Sequence, residues 1–528
     1  MGVLAGALLF ATLVALPADA AGASSSGNHG TNGKTDVNVC PSAVPAGQAT
    51  CLGHRRTDSE ATTQRPARPG SLRSTAAIGN NGAYDPLYLQ SAYATPSATK
   101  GAGQTVAIVD AYGDPSAEAD LASYRSYFGL SACSTANGCF RKVDERGGSN
   151  YPSGNTGWGQ AISLDVDMVS ALCPNCHILL VEANSASISD LGTAVNEAVA
   201  LGANVVSNSY GGPEYSGETS DSSSYYNHPG VAVTVAAGDS GYGPEFPASS
   251  NTVTAVGGTS LQQATDTGAR NATETVWSGT GSGCSAYEPK PAWQTDTVGC
   301  AANRTISDVS AVADPSTGVW VYDSYGGGSW AVFGGTSVAT PIVGAVYALA
   351  GNASGSTQMN SLPYADPAPY ADPAALNDVT SGSNGSCSVA YLCNGEVGYD
   401  GPTGLGTPKG TPNGIAAFTA TNAPPTAPTA PTAPTAPTNR VATGSNARVA
   451  LSWSAPSSNG GSAITGYRLN RSTVSGGETF YVTVTCTTST CSYTDSGTNS
   501  RTTYYYNVAA TNRVGTGPVS NQASARAR

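Results

Sequence analysis

Along the middle of the chain, short runs of consecutive apolar residues alternate with longer stretches whose apolar positions recur every three or four residues. The run Thr105-Val-Ala-Ile-Val-Asp110 is continuous and β-branched, and Ala117 to Phe128 follows with helical spacing. The alternation repeats with His177-Ile-Leu-Leu-Val181, a helical stretch from Ile188 to Leu201, Asn204-Val-Val-Ser-Asn208 and Val231-Ala-Val-Thr-Val-Ala-Ala237. Uninterrupted apolar strands separated by helices predict βαβ units and a mostly parallel, twisted sheet flanked by helices, an α/β fold. The pattern sets in near Tyr84 and continues to about residue 420.

Two changes of pattern follow. Residues 424–438 repeat Pro, Thr and Ala, a composition that cannot build a core and favours extended polyproline structure. At roughly 3.1 Å per residue this spacer reaches about 45 Å. Residues 440–528 then alternate with period two, in Val449-Ala-Leu-Ser-Trp453, Thr465-Gly-Tyr-Arg-Leu469, Phe480-Tyr-Val-Thr-Val484 and Tyr504-Tyr-Tyr-Asn-Val-Ala-Ala510. That predicts an all-β, immunoglobulin-like sandwich. Trp453 with Ala455-Pro456, Gly460 to Tyr467 and Tyr506 to Gly515 resemble the fibronectin type III module. The resemblance implies a spacer or a binding element for a polymer or surface.

At the other end, residues 3–16 are apolar and precede Pro17 and Ala18-Asp19-Ala20, the form of a secretory signal over 1–20, although no Lys or Arg stands before the run. It is short for a bilayer span. Residues 21–83, with Arg55, Arg56, Arg65, Arg68 and Arg73, read as a short pro-segment or unstructured N-terminal arm. The expected order is therefore signal 1–20, arm 21–83, α/β domain 84–420, linker 421–439 and sandwich 440–528.

The twelve cysteines form six sequence-local pairs: Cys40/Cys51, Cys133/Cys139, Cys173/Cys176, Cys284/Cys300, Cys387/Cys393 and Cys486/Cys491. In an exported, extracellular chain these read as disulfides. Cys173-Pro-Asn-Cys176 could instead be a redox or zinc half-site, but only His177 lies near to complete a metal site. A net charge of -12 offers no basic footprint, which argues against nucleic acid or an anionic membrane as partner. A monomer is expected.

Candidate chemistry starts at Gly334-Gly335-Thr336-Ser337-Val338-Ala339-Thr340-Pro341. Ser337 stands at the start of an apolar helix running to Ala350, a placement that suits a nucleophile and equally suits a helix cap. Val235-Ala-Ala-Gly-Asp239 is an apolar strand ending in a carboxylate, either a functional acid at a sheet edge or a turn residue. Trp158 to Pro174 is helix-length, with Ala161 and Asp165 one turn apart on one face.

These three segments, in this order, resemble the sedolisin family of serine-carboxyl peptidases across roughly residues 84–420. The resemblance implies a subtilisin-like fold and peptide-bond hydrolysis through a Ser337 acyl-enzyme. It assigns Asp165 to orienting the base and Asp239, protonated, to the oxyanion. A Glu usually stands where this chain has Ala161. Loss of the proton acceptor costs a serine peptidase on the order of a million-fold in kcat. Three explanations stay open: a degenerate non-proteolytic relative, a Glu-to-Ala variant, or direct action by Asp165 through a water. Gln160 cannot serve as base, and none of His29, His54, His177 and His228 lies in a subtilisin-type His motif. Such sites work in acid, where one carboxylate is ionised and another still protonated.

Asn377 to Gly385 and Glu396 to Gly406 resemble the family's calcium loop. Carboxylates of Asp378 and Asp400 with carbonyls of Val379, Glu396 and Gly398 would offer Ca²⁺ its hard oxygen ligands. Asx-turns without metal are the alternative. Two functions therefore compete: a secreted acid endopeptidase acting on proteins or peptides, weakened or silenced at Ala161, and a non-catalytic extracellular binding or scaffold protein on the same fold.

Overall fold

The structure is a computed structural model describing residues 35–58, 83–262, 273–295, 299–326, 328–351, 358–365, 376–408, 414–419, 433–456, 464–486, 490–512 and 515–528. The signal, the first part of the arm and most of the Pro/Thr/Ala linker lie outside the described residues. The chain divides into two compact units, Met1–Pro425 and Thr426–Arg528.

In the first unit the strands used below are β1 (Asp36–Asn38), β2 (Thr50–Cys51), β3 (His54–Arg56), β4 (Thr105–Ala111), β5 (Phe140–Asp144), β6 (His177–Ala183), β7 (Val205–Asn208), β8 (Tyr210–Pro213) and β9 (Ala232–Ala236). They continue with β10 (Glu245–Phe246), β11 (Thr254–Leu261), β12 (Glu274–Val276), β13 (Gly283–Pro289), β14 (Asn303–Ile306), β15 (Val309–Val312), β16 (Val319–Asp323) and β17 (Ser329–Gly334). An eight-stranded sheet runs β12-β11-β9-β7-β4-β6-β5, with β15 also on β11. Every pairing in it is parallel except β11 with β12. The apolar runs read from the sequence are its central strands, and Val106 to Val109 are fully buried, as strands covered by helices on both faces must be.

Two helices run through the interior on one side of this sheet. Thr156–Leu172 is capped by Asn155, whose side chain accepts from the Gly157 and Trp158 N–H groups, and it ends ahead of Pro174; all residues from Trp158 to Leu172 are buried. It packs against Thr336–Ala350, which begins after Gly335 in the left-handed region (φ 97°) and is buried from Thr336 to Leu349. Helices hydrophobic all round belong in the core of a large domain.

Part of the stretch read as a pro-segment or unstructured arm is folded. Strand β2 pairs antiparallel with β8, and β3 pairs antiparallel with both β1 and β17. Arg56 is buried and pairs with Asp58 at 2.7 Å. Strands of two or three residues carry no periodicity to read, and their partners lie far away in sequence.

All six cysteine pairs are bonded as predicted, including Cys173 with Cys176, which removes the zinc half-site. The second unit has a three-stranded and a five-stranded antiparallel sheet enclosing Trp453, Tyr467, Leu469, Tyr506 and Val508, so the period-two reading holds there.

Candidate active site

Ser337 is fully buried as the second residue of its helix. Its Oγ donates to the Ser209 carbonyl at 3.1 Å, and the Ser209 hydroxyl returns a 3.4 Å bond to the Ser337 carbonyl. Its backbone N–H donates to the Leu52 carbonyl at 3.1 Å. The hydroxyl therefore meets a backbone carbonyl, which cannot take its proton, rather than a carboxylate.

The strand β9 and the following Gly238 turn bring Asp239 beside this helix start. Its Oδ1 accepts from the Thr336 N–H at 2.8 Å and the Thr336 hydroxyl at 2.7 Å. Its Oδ2 faces the His54 Nε2 at 3.3 Å, an ion-pair contact, while His54 Nδ1 lies 2.7 Å from Asp36 Oδ2. Asp239 thus acts as acceptor on one oxygen and ion-pair partner on the other. The protonated donor role implied by the resemblance is not the state this geometry displays. His54 is the residue that reading the sequence missed: no His motif surrounds it, and the Asp36 that holds it lies 18 residues upstream.

Asp165, on the helix Thr156–Leu172, is fully buried. Burial drives its carboxyl well above the ordinary range, with the Ser209 side chain opposing. Ser209 thus stands between nucleophile and acid. Behind Asp165 lies Asp110 at the end of β4, in register with Glu182 on β6. Burial first, then the charges of Asp165 and Glu182, push Asp110 well up as well. Neither oxygen of Asp165 or Asp110 finds a hydrogen-bond partner of good geometry among the described residues. Two adjacent buried acids without cations can hold protons but not two charges. Glu182 has Lys142 at 2.7 Å, which offsets part of its own burial. Ala161, one turn before Asp165, is fully buried in an apolar cluster with Trp158, Tyr210, Cys40 and Cys51, and contributes no polar atom. Gln160 spends its amide N–H on the Thr156 carbonyl at 3.0 Å.

In the loops that resemble the family's calcium site, Asp378 Oδ2 accepts from the Gly398 N–H at 2.9 Å and Asp400 Oδ2 from the Glu396 N–H at 3.0 Å. Asp400 Oδ1 accepts from the Thr403 N–H and hydroxyl. Burial, with Asp378 adding its charge, raises Asp400 to about 8, and neither acid has a basic partner among the described residues. The carbonyls of Val379 and Ser381 converge on Gly395, where a Cβ would meet them at 2.8 and 2.9 Å. Asp400 is buried and Asp378 half-buried, and both accept backbone N–H groups as Asx-turns do, while the carboxylates and nearby carbonyls are oxygen donors of the type a hard divalent cation takes.

Residues 147–365 match the Subtilase family and residues 433–526 the Fibronectin type III domain. Kumamolisin from Bacillus sp. (strain MN-32) is 32% identical over 363 residues, 62% of this chain and 62% of kumamolisin. Sedolisin from Pseudomonas sp. (strain 101) is 28% identical over 420 residues, 71% of this chain and 69% of sedolisin. The chain thus spans less than two thirds of kumamolisin's length. The solved structure of Pseudomonas sedolisin, a serine-carboxyl proteinase complexed with two molecules of pseudo-iodotyrostatin, aligns with a TM-score of 0.52 and 27% identity over 61% of this chain and 95% of that one. The chain carries a subtilase-family peptidase domain with sedolisin and kumamolisin among its homologues, followed by a fibronectin type III domain.

Proposed function

We propose that this chain is a secreted serine-carboxyl endopeptidase that acts on proteins or peptides in acid through an acyl-enzyme on Ser337, with turnover cut down by Ala161. The observation that carries the reading is convergence: Ser337, Asp239 and Asp165 come from three distant segments and meet around Ser209 and Thr336. The Ser337 N–H is a donor at the point where a carbonyl oxygen becomes an oxyanion, and Asp239 is the second group there. Asp239 can donate only when protonated and released from His54, which calls for acid. Asp165, and Asp110 behind it, are the proton reservoir to which a base at position 161 would couple. With alanine there, Ser337 has no acceptor at the usual place and remains a weak nucleophile.

The six disulfides support an oxidising, extracellular setting. Among the described residues no helix is long and apolar enough to cross a membrane. A structural Ca²⁺ on Asp378, Asp400 and the carbonyls of Val379, Glu396 and Gly398 completes the proposal. Its chemistry is to neutralise the paired carboxylates and hold the loop together.

A second reading has one observation of its own. Ala161 and a Ser337 hydroxyl turned to a backbone carbonyl suit a non-catalytic extracellular binding or scaffold protein. Hydrolysis of an acid-denatured protein by the native chain, Ser337→Ala and Ala161→Glu separates them. The peptidase reading expects Ala161→Glu to raise hydrolysis at least tenfold and Ser337→Ala to abolish it. Hydrolysis that persists in Ser337→Ala would remove Ser337 from the mechanism.

A further inference from the structure

The net charge of -12 is unevenly placed along the chain. Residues 426–528, the second unit, hold eight arginines, no lysine and two acids, Glu478 and Asp495, a formal +6 against -18 for residues 1–425. Both acids are spent inside the module: Asp495 is buried and pairs with Arg471 at 3.0 Å, and Glu478 accepts from the Gln522 and Asn507 amides. Of the arginines, Arg440 donates to the Ser520 hydroxyl, and Arg468 lies over the Phe480 ring at 4.6 Å. Arg501, Arg526 and Arg528 are exposed, and no acid pairs with them among the described residues.

These three meet because three chain segments close on one another. The strand Ala523–Arg526 pairs antiparallel with Thr503–Asn512; just beyond the ladder the Arg501 N–H donates to the Ala527 carbonyl at 2.7 Å and the Ala527 N–H to the Thr502 carbonyl at 3.0 Å. On the other side the Arg528 N–H donates to the Ser445 carbonyl and the Ala447 N–H to the Arg528 carbonyl, both at 2.9 Å. Gly444 lets the strand Thr438–Ser445 approach closely, since a Cβ there would come within 1.9 Å of the Arg526 carbonyl oxygen. The result is an open groove of about 770 Å³ lined by residues 442–444, 501 and 524–528. Apart from the arginines its lining is small or hydroxyl-bearing, with no aromatic ring for bases to stack on and no large apolar side chain for a bilayer to take up. Arg501 holds a left-handed φ of 66°, which glycine or asparagine adopts at less cost, so the turn itself does not ask for arginine.

We propose that this groove binds an anionic polysaccharide, with its carboxylate or sulfate groups on the guanidinium groups of Arg501, Arg526 and Arg528 and its hydroxyls on Thr443 and Ser524. Arginine's planar fork takes two oxygens of one acid group, and three such forks around one open groove suit a chain that repeats its charge. The whole-chain charge hides this footprint because the acids lie in the first unit. The second unit then anchors the chain to an acidic matrix, and this holds whether or not Ser337 is catalytic.

The test is binding of the full chain at about pH 6 to polygalacturonate, which carries carboxylates, and to dextran sulfate, with uncharged dextran as the blank. The native chain should bind at least one charged polymer, less tightly as salt is raised, and leave dextran alone. The order of the two polymers tells carboxylate from sulfate, and binding to neither would overturn the proposal. Arg501→Asn, which the turn accommodates, should weaken binding about threefold with the second unit's Tm unchanged, and Arg501→Asn with Arg526→Gln about tenfold. Arg468→Gln removes the same charge outside the groove and should leave binding unchanged. An equal loss with Arg468→Gln would reduce the attraction to net charge and overturn the site, as would tighter binding to single-stranded DNA or to vesicles of anionic phospholipid than to either polymer. Hydrogen exchange on the native chain covers variants that do not fold. Bound polymer should slow the amides of residues 443–445, 501–502 and 524–528, and protection confined to other segments would sink the idea.

Discussion

Burial alone would strip the proton from the His54 imidazole, but the hydrogen bonds and charges of Asp239 and Asp36 outweigh it and push its pKa up to about 9. The Trp277 ring stands edge-on at 5.7 Å, and Glu245, raised to about 8 by burial and then by Asp239, lies beyond the pair. Since the folded value exceeds the ordinary 6.5, His54 contributes stability that is complete below about pH 6.5 and lost as pH climbs through about 9. His54→Gln should therefore lower Tm by several degrees at pH 6 and by little at pH 10; an equal loss at both would contradict the ion pair. The helices that carry Ser337 and Asp165, and the strand β9 ahead of Asp239, could be read from their apolar patterns, while the roles given to these residues came from the resemblance alone. His54 was not, because a three-residue strand gives no period and its role depends on two acids supplied by other segments.

Among the elements, the tight approach at Gly335 couples the nucleophile helix to the N-terminal strands. With φ at 97° and the Leu52 carbonyl 2.2 Å from a would-be Cβ, Gly335→Ala should cost at least about 1–3 kcal/mol. Urea unfolding would register this, and a neutral substitution would mean that the segment yields freely. The parallel sheet and both interior helices could be read because continuous apolar runs need cover on both faces. Strands β1, β2 and β3 could not, because their stability comes from long-range pairing rather than local propensity. The calcium loop is the other element under test. If a cation relieves the Asp378–Asp400 pair, a chelator should lower the first unit's Tm by several degrees and excess Ca²⁺ restore it. A chelator-insensitive Tm would leave simple Asx-turns.

Across the whole molecule, buried acids set the pH response. Burial is the leading cause that lifts Asp114 and Glu288 to about 7, and Glu218 to about 8. A carboxyl raised in the folded state binds its proton more tightly than in the unfolded chain, so each such group withdraws stability as pH rises from about 4 to 8. Asp144, held low by backbone N–H groups led by that of Arg146, works the other way in the first unit, and Asp495, where Arg471 overcomes burial, does so in the second. Calorimetry should find the first unit's Tm higher at pH 4 than at pH 8, and the reverse order would contradict this balance. The two-unit division was legible from the Pro/Thr/Ala repeat and the switch to period two. At the proposed site, Ala161 could be read as the position where the resemblance expects a base, whereas the packing of Leu52 against Ser337 could not be read, because no motif marks residues 50–54. The most direct measurement is hydrolysis of an acid-denatured protein by the full chain carrying Ala161→Glu, with and without Ser337→Ala. The account predicts hydrolysis at least tenfold above the native chain that vanishes with Ser337→Ala, and hydrolysis that stays at the native level or survives Ser337→Ala would contradict it.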